Sequence, residues 1–322
     1  MPKKYSLLLP LIVALGLPLV LRSGSLASEV LIYALAAVGC NLLLGYTGLL
    51  SFGQGIFFGL GSYTVAIALT RVHMPMPVAL LAAIAMGALG AAVVGWVSIR
   101  QRGTYFVMLT LAFAQMFYFL AYTASNFTGG DNGLLGVPRP VFMHTPWRYY
   151  AFVAVIFLIA YALLLRVTDS VFGRTLLAIR DNEDRAAAVG YNLKRFKLLA
   201  FVISGAVTGL AGGLHAMMTG IAPLSNADYH TSETILVITV IGGTGNLFAS
   251  VLGSAFYVLL ADWLSTLWPR WLLLLGLLLI AVSIGMQRGL WGVGESAWRR
   301  VFRKTLLDAK SPQAQAAQGE ET

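Results

Sequence analysis

Long apolar runs separated by short polar breaks dominate the chain, at 5–21, 28–45, 54–70, 78–97, 104–122, 149–165, 198–219, 233–246, 248–266 and 270–286. One helical crossing of a bilayer takes about 20 apolar residues, so the pattern predicts about ten transmembrane helices joined mostly by short links. Two runs are irregular. The eighth is short and enters Ile241-Gly242-Gly243-Thr244-Gly245-Asn246, and the third begins in the glycine-rich stretch from Gly45 to Gly61. Both fit a broken or re-entrant helix as well as a plain span. The first run, behind Lys3-Lys4 and before small residues near Ser25–Ser28, also fits a signal peptide, although its length favours a retained anchor. The fold expected is an all-α polytopic membrane protein: a single transmembrane domain over 1–304, an outer loop at 123–148, a cytoplasmic loop at 166–197 and a disordered tail at 305–322.

Composition agrees, with 58% hydrophobic and 11% charged residues and a mean hydropathy of +0.78. Soluble domains carry about a quarter charged residues. The net charge of +9 then becomes a matter of sidedness rather than of nucleic acid, which is not an expected partner. With ten crossings, Lys3, Lys4, Arg100, Arg102, Arg166, Arg174, Arg180, Arg185, Lys194, Arg195, Lys197, Arg288, Arg299, Arg300, Arg303, Lys304 and Lys310 fall on one side. Only Arg22, Arg71, Arg139, Arg148 and Arg270 fall on the other, which puts both termini in the cytoplasm by the positive-inside rule. All seven tryptophans lie at or near predicted span ends, where an amphipathic ring is comfortable.

Motifs of chemistry are missing. There is no GxxxxGK[ST] phosphate loop, no HExxH and no GxSxG, and His73, His144, His215 and His230 are scattered. Cys40 is alone in an apolar run, which excludes a CxxC site. No catalytic, metal or cofactor site is therefore expected, and any ATP used is bound by a partner. Glu29, Glu233 and Asp262 sit near span ends, leaving the span middles almost free of the ionisable groups that ion-coupled carriers require. His215 lies within a span, where a proton relay competes with the commoner role of helix-packing hydrogen bonder.

Two features remain. The 166–197 loop holds seven basic and four acidic residues, with Asp181 placed to cap a short helix through Asn182-Glu183-Asp184-Arg185-Ala186-Ala187-Ala188-Val189 and Gly190 to stop it. Composition alone allows a passive amphipathic connector or a docking helix for a soluble partner. Gly45-Tyr46-Thr47-Gly48-Leu49-Leu50 and Gly242-Gly243-Thr244-Gly245-Asn246-Leu247 also share a GxTGxL pattern beside apolar spans. Interrupted helices at matching places point to a transport site built from two parallel halves. Tight packing through pairs such as Gly55-x-x-x-Gly59 explains the glycines equally well.

The string from Gly173-Arg174-Thr175-Leu176-Leu177-Ala178-Ile179-Arg180-Asp181-Asn182-Glu183 to Gly190 resembles the cytoplasmic loop of LivM-type permease subunits, from ATP-driven importers of branched-chain amino acids. The resemblance extends to Asn41 through Gly55, to Thr128-Gly129-Gly130-Asp131-Asn132-Gly133-Leu134 and to Gly242 through Asn246, covering about 30 to 290. One departure is that the acidic-Ala-Ala start of the related EAA loop reads Asp184-Arg185-Ala186. The resemblance implies a non-catalytic permease in a bacterial cytoplasmic membrane. Its implied partners are ABC ATPase subunits, a second LivH-like permease, a periplasmic or lipid-anchored substrate-binding protein and membrane lipid. It makes Arg180, Asp181, Glu183, Asp184, Ala187 and Gly190 the ATPase-coupling candidates. A small zwitterion passes most easily along neutral hydrogen-bonding groups, so Asn41, Thr47, Ser51, Gln54, Gln115, Thr244 and Asn246 are the pathway candidates. Urea and short-chain amide permeases share these motifs, and an ATP-independent channel would have similar spans but no use for a docking helix.

Overall fold

The computed structural model describes residues 8–267 apart from 22, 141, 142 and 144, together with 270, 272–277, 280 and 289–292. Helices account for most of it: α1 (Leu8–Val20), α2 (Gly24–Asn41), α3 (Gln54–Thr70), α4 (Met76–Ser98), α5 (Thr104–Thr123) and the single turn α6 (Ser125–Thr128). They continue with α7 (Pro146–Asp169), α8 (Val171–Asp181), α9 (Glu183–Ala188), α10 (Leu193–Thr219), α11 (Tyr229–Gly242) and α12 (Leu247–Leu267). Six are long and apolar enough to cross a membrane, counting α2 with its continuation to Thr47, while α1 and α3 are apolar but shorter. Most of the run at 270–286 and the whole tail at 305–322 lie outside the described residues.

Three boundaries differ from the sequence expectation. Helix α2 starts at Gly24, with the Ser23 hydroxyl accepting from the Leu26 amide, and ends in a π-helical turn over Leu42–Thr47. The run at 233–246 becomes α11, which stops at Gly242 because Gly243 turns to φ 118°. The 166–197 loop is mostly helix, since α7 reaches Asp169 and α10 starts at Leu193.

The packing is built around α10. Inside a bilayer apolar side chains gain little by leaving lipid, so helices associate where small residues let backbones approach. Gly205, Gly209 and Gly213 on α10 meet Ala83, Gly87 and Ala91 on an antiparallel α4. On the other flank α3 crosses in parallel, so closely that a Cβ on Gly61 would lie 1.8 Å from the Gly209 carbonyl oxygen. Polar contacts pin the same crossing, for the Gln54 amide donates to Ser204 Oγ at 3.1 Å and accepts from Thr208 Oγ1 at 2.8 Å.

The links gather at two ends. One holds the links after α2, α4, α7 and α11, bearing Arg100, Arg102, Arg166, Arg174, Arg180, Arg185, Lys194, Arg195 and Lys197. The other holds those after α3, α5 and α10, where Arg71, Arg139 and Arg148 are the basic residues among those described. There β1 (Leu134–Leu135) pairs antiparallel with β2 (Ile221–Ala222), tying the 124–145 loop to the α10–α11 link. Arg71 donates to the Asn126 carbonyl at 2.9 Å and Thr128 Oγ1 accepts from the Gly130 amide, so the Thr128–Gly133 turn is knitted in while Asp131 and Asn132 stay exposed.

Candidate functional site

At the cation-rich end the two GxTGxL segments touch each other. Asn41, fully buried on α2, donates to the Asn246 carbonyl and to Ser250 Oγ, both at 2.8 Å, and accepts from the Gly245 amide at 3.0 Å. One amide side chain thus uses donors and acceptor together to join the break after α2 to the break after α11. A Cβ on Gly45 would lie 2.0 Å from Asn41 Oδ1 and 2.5 Å from the Gly245 amide nitrogen. Only a hydrogen fits there. Corresponding fourth glycines of the repeat, Gly48 at φ 72° and Gly245 at φ 91°, both hold the left-handed backbone that glycine adopts freely.

Arg180 reaches this junction from the loop. Its Nη1 donates to the Gly45 carbonyl, and the positions a Cβ would take at Gly48 and Gly245 lie 3.4 and 3.3 Å from its side chain. The sequence of α8 explains the reach. Gly173, Thr175, Leu176 and Ile179 form its buried face and bring Arg180, near its C-terminus, beside the π-helical turn. The cap of the next helix differs from expectation, because Asp181 closes α8 and Asn182, extended at φ −161°, takes the capping role. Its Oδ1 accepts from the Arg185 amide at 2.8 Å. Asp181 is helical as the last residue of α8, whereas an N-cap needs the extended backbone that Asn182 supplies. Gly190, at φ 95°, follows the end of α9.

Ion pairs seat α9. Lys197 on α10 is 6% exposed and meets Glu183 at 2.5 Å, while Arg102 on the α4–α5 link lies 3.7 Å from Glu183 and 3.8 Å from Asp184. Ala186 faces inward; Ala187, Ala188 and Val189 face out, an apolar patch rimmed by charge. Sequence reasoning missed Arg102, Lys197 and Ser250. The two cations entered only as counts on one side, and nothing in a linear pattern pairs residue 41 with residue 250.

The pathway candidates separate. Asn41, Thr47, Ser51 and Gln54 are buried, with Thr47 Oγ1 donating to the Leu43 carbonyl and Ser51 Oγ accepting from the Gly53 amide. Asn246 is half-buried and caps α12 by accepting from the Phe248 amide at 3.0 Å. Thr244 is exposed at the break, and Gln115 is exposed on α5, the least covered of the six long helices with 22% of its apolar stretch buried. His215 packs between Tyr33 and Phe58, and its Nδ1 lies 3.2 Å from the Asn226 amide donor, which suits a neutral packing histidine. No group of three potential metal ligands exists among the described residues.

Residues 11–283 match the family model for the permease component of branched-chain amino acid transport systems. The chain belongs to this family. The permease is 29% identical over 317 residues to the high-affinity branched-chain amino acid transport permease LivM of Escherichia coli K12, covering 89% of this chain and 75% of that one. It is 24% identical over 246 residues to the high-affinity branched-chain amino acid transport permease BraD of Pseudomonas aeruginosa, covering 69% and 78%. It is also 26% identical over 236 residues to the ribose import permease RbsC of Escherichia coli K12, covering 69% and 70%. The permease is thus the membrane-spanning component of an ABC importer, and its helical, apolar architecture agrees with that role.

Proposed function

We propose that the permease moves branched-chain or related amino acids across a bacterial cytoplasmic membrane as one of a pair of homologous permease chains. Ten crossings with both termini in the cytoplasm fit the excess of cations at the junction end. Two ATPase subunits supply the energy from that side, docking on the outward patch of α9, and a substrate-binding protein delivers the solute to the exposed Asp131–Asn132 turn on the other.

The observation that carries this reading is the position of Arg180. It belongs to the loop that carries α9, yet it bonds the first glycine break and lies against the second. A push on α9 therefore reaches both helix breaks through the one guanidinium of Arg180, on the helix that precedes α9. Interrupted helices are tolerated at membrane depth where they line a cavity or are buried in protein, and two that meet form a natural gate. Neutral groups at the breaks, with Gln115 on the open face of α5, suit a zwitterion that must be released again.

The test is reconstitution. The purified chain with its partner subunits is expected to hydrolyse ATP faster when an amino-acid-loaded binding protein is added, and to accumulate that solute only with ATP. Solute flux through the isolated chain without ATP would sink the importer reading in favour of a channel.

A further inference from the structure

A cavity of about 380 Å³ opens on the cation-rich end between the α4–α5 link and the start of α10. Arg100, Arg102, Lys194 and Lys197 line it against one carboxylate, Glu183, with the Asn192 amide beside them. Of these cations only Lys197 is closely paired, with Glu183 at 2.5 Å. Arg102 stands 3.7 Å and 3.8 Å from its two carboxylates, beyond hydrogen-bond contact, and neither Arg100 nor Lys194 makes an ion pair among the described residues. Lys197 is the buried floor of the site.

The surroundings identify what fills it. Arg100 stacks on Trp96, its guanidinium carbon 4.4 Å from the ring, and Trp96 is 61% exposed in the last turns of α4. An exposed tryptophan at the end of a spanning helix marks headgroup level. Leu89, Val93 and Trp96 are all exposed, and with Arg100 they follow helical spacing along one face of α4. An apolar strip therefore leads out of the hydrocarbon into a pocket of excess positive charge. A free phosphate would use the charge and ignore the strip, whereas a phospholipid uses both. Zwitterionic headgroups carry their own cation beside the phosphate and gain less from the pocket.

We propose that this pocket binds the phosphodiester headgroup of an anionic phospholipid with an acyl chain along Leu89, Val93 and Trp96. In doing so the headgroup draws Arg102 from Glu183 and Asp184, so anionic lipid sets how firmly α9 is held. The proposal rests on the membrane placement of α4 and α10 and is independent of the solute.

The full complex, purified from membranes containing both lipid types, is passed through detergent and its retained lipid counted by mass spectrometry. Phosphatidylglycerol is expected to be retained over phosphatidylcholine. Because a basic residue near an anionic surface contributes about 1 kcal/mol, the Arg100→Gln/Arg102→Gln pair is expected to weaken retention about thirtyfold, and Lys194→Gln alone about fivefold. Asp184→Asn removes a competing charge and is expected to strengthen retention about fivefold by the same reasoning. Arg148→Gln, at the opposite end, is expected to leave it unchanged. Equal retention of the two lipids, no loss in Lys194→Gln, no gain in Asp184→Asn, or displacement of the lipid by inorganic phosphate at equal concentration would each overturn the proposal. A wrong assignment of solute would alter the uptake assay and leave these lipid counts as they are.

Discussion

Arg180 and Lys197 do opposite jobs with the same charge. Arg180 is exposed yet bonded to a backbone carbonyl, so its guanidinium positions the chain without a carboxylate. Replacing it with alanine is expected to leave membrane insertion intact and to abolish ATP-dependent uptake. Lysine, a point charge without the planar fork, is expected to restore only a minor part. Uptake in proteoliposomes beside the amount of folded protein recovered separates the two effects. Lys197 is buried and paired with Glu183 at 2.5 Å. Removing one partner of a buried pair leaves an uncompensated charge, and with Glu183 one-third exposed the loss for Glu183→Gln is on the order of 2 kcal/mol. The double variant Glu183→Gln/Lys197→Met is expected to recover most of it. Thermal unfolding of the single and double variants tests this, and equal losses in both would refute the pairing.

Among the elements, α9 is too short to be stable alone and owes its shape to its ends. Asn182 caps it, and Gly190 follows at a positive φ with nothing within 4 Å of where a Cβ would stand. The constraint at Gly190 is thus one of backbone conformation, not of space. Gly190→Val is expected to uncouple ATP hydrolysis from uptake, while Gly190→Asn, which tolerates left-handed backbone, retains most coupling. Normal uptake by the valine variant would count against a rigid α9. At the α3–α10 crossing the constraint is the reverse, since a Cβ on Gly61 would strike the Gly209 carbonyl. Gly61→Val is expected to prevent assembly of the folded chain, read as loss of the monodisperse peak in detergent.

For the whole molecule, the uneven cover of its helices matters most. Eighty-three per cent of the α2 apolar stretch is buried against 22% of that of α5, whose exposed side carries Gln115 among Leu111, Met116 and Phe119. A primary amide facing hydrocarbon is costly, which argues that a second permease chain or an aqueous path covers this face. Gln115→Cys in a Cys40→Ser background is expected to react with a membrane-impermeant maleimide in the assembled complex. Leu89→Cys, on the lipid-facing side of α4, is expected to stay unlabelled. Equal protection of the two cysteines would remove α5 from the pathway.

The amino-acid sequence by itself determined the membrane class, the positions of nine helices within about five residues, the clustering of cations on one set of links and the repeated glycine motif. Each is a local property, because hydropathy is set over about 20 residues, and a glycine turn over four. Only the tertiary structure decided that the two motifs lie against each other, that Asn41 joins them and Arg180 bonds one and packs on the other. It also decided that Gln54 holds α10 instead of standing open, and that Asn182 displaces Asp181 as the cap. These depend on contacts between residues up to 209 positions apart, as from Asn41 to Ser250, whose pairing is selected by close packing of whole helices and leaves no trace in any short stretch of chain.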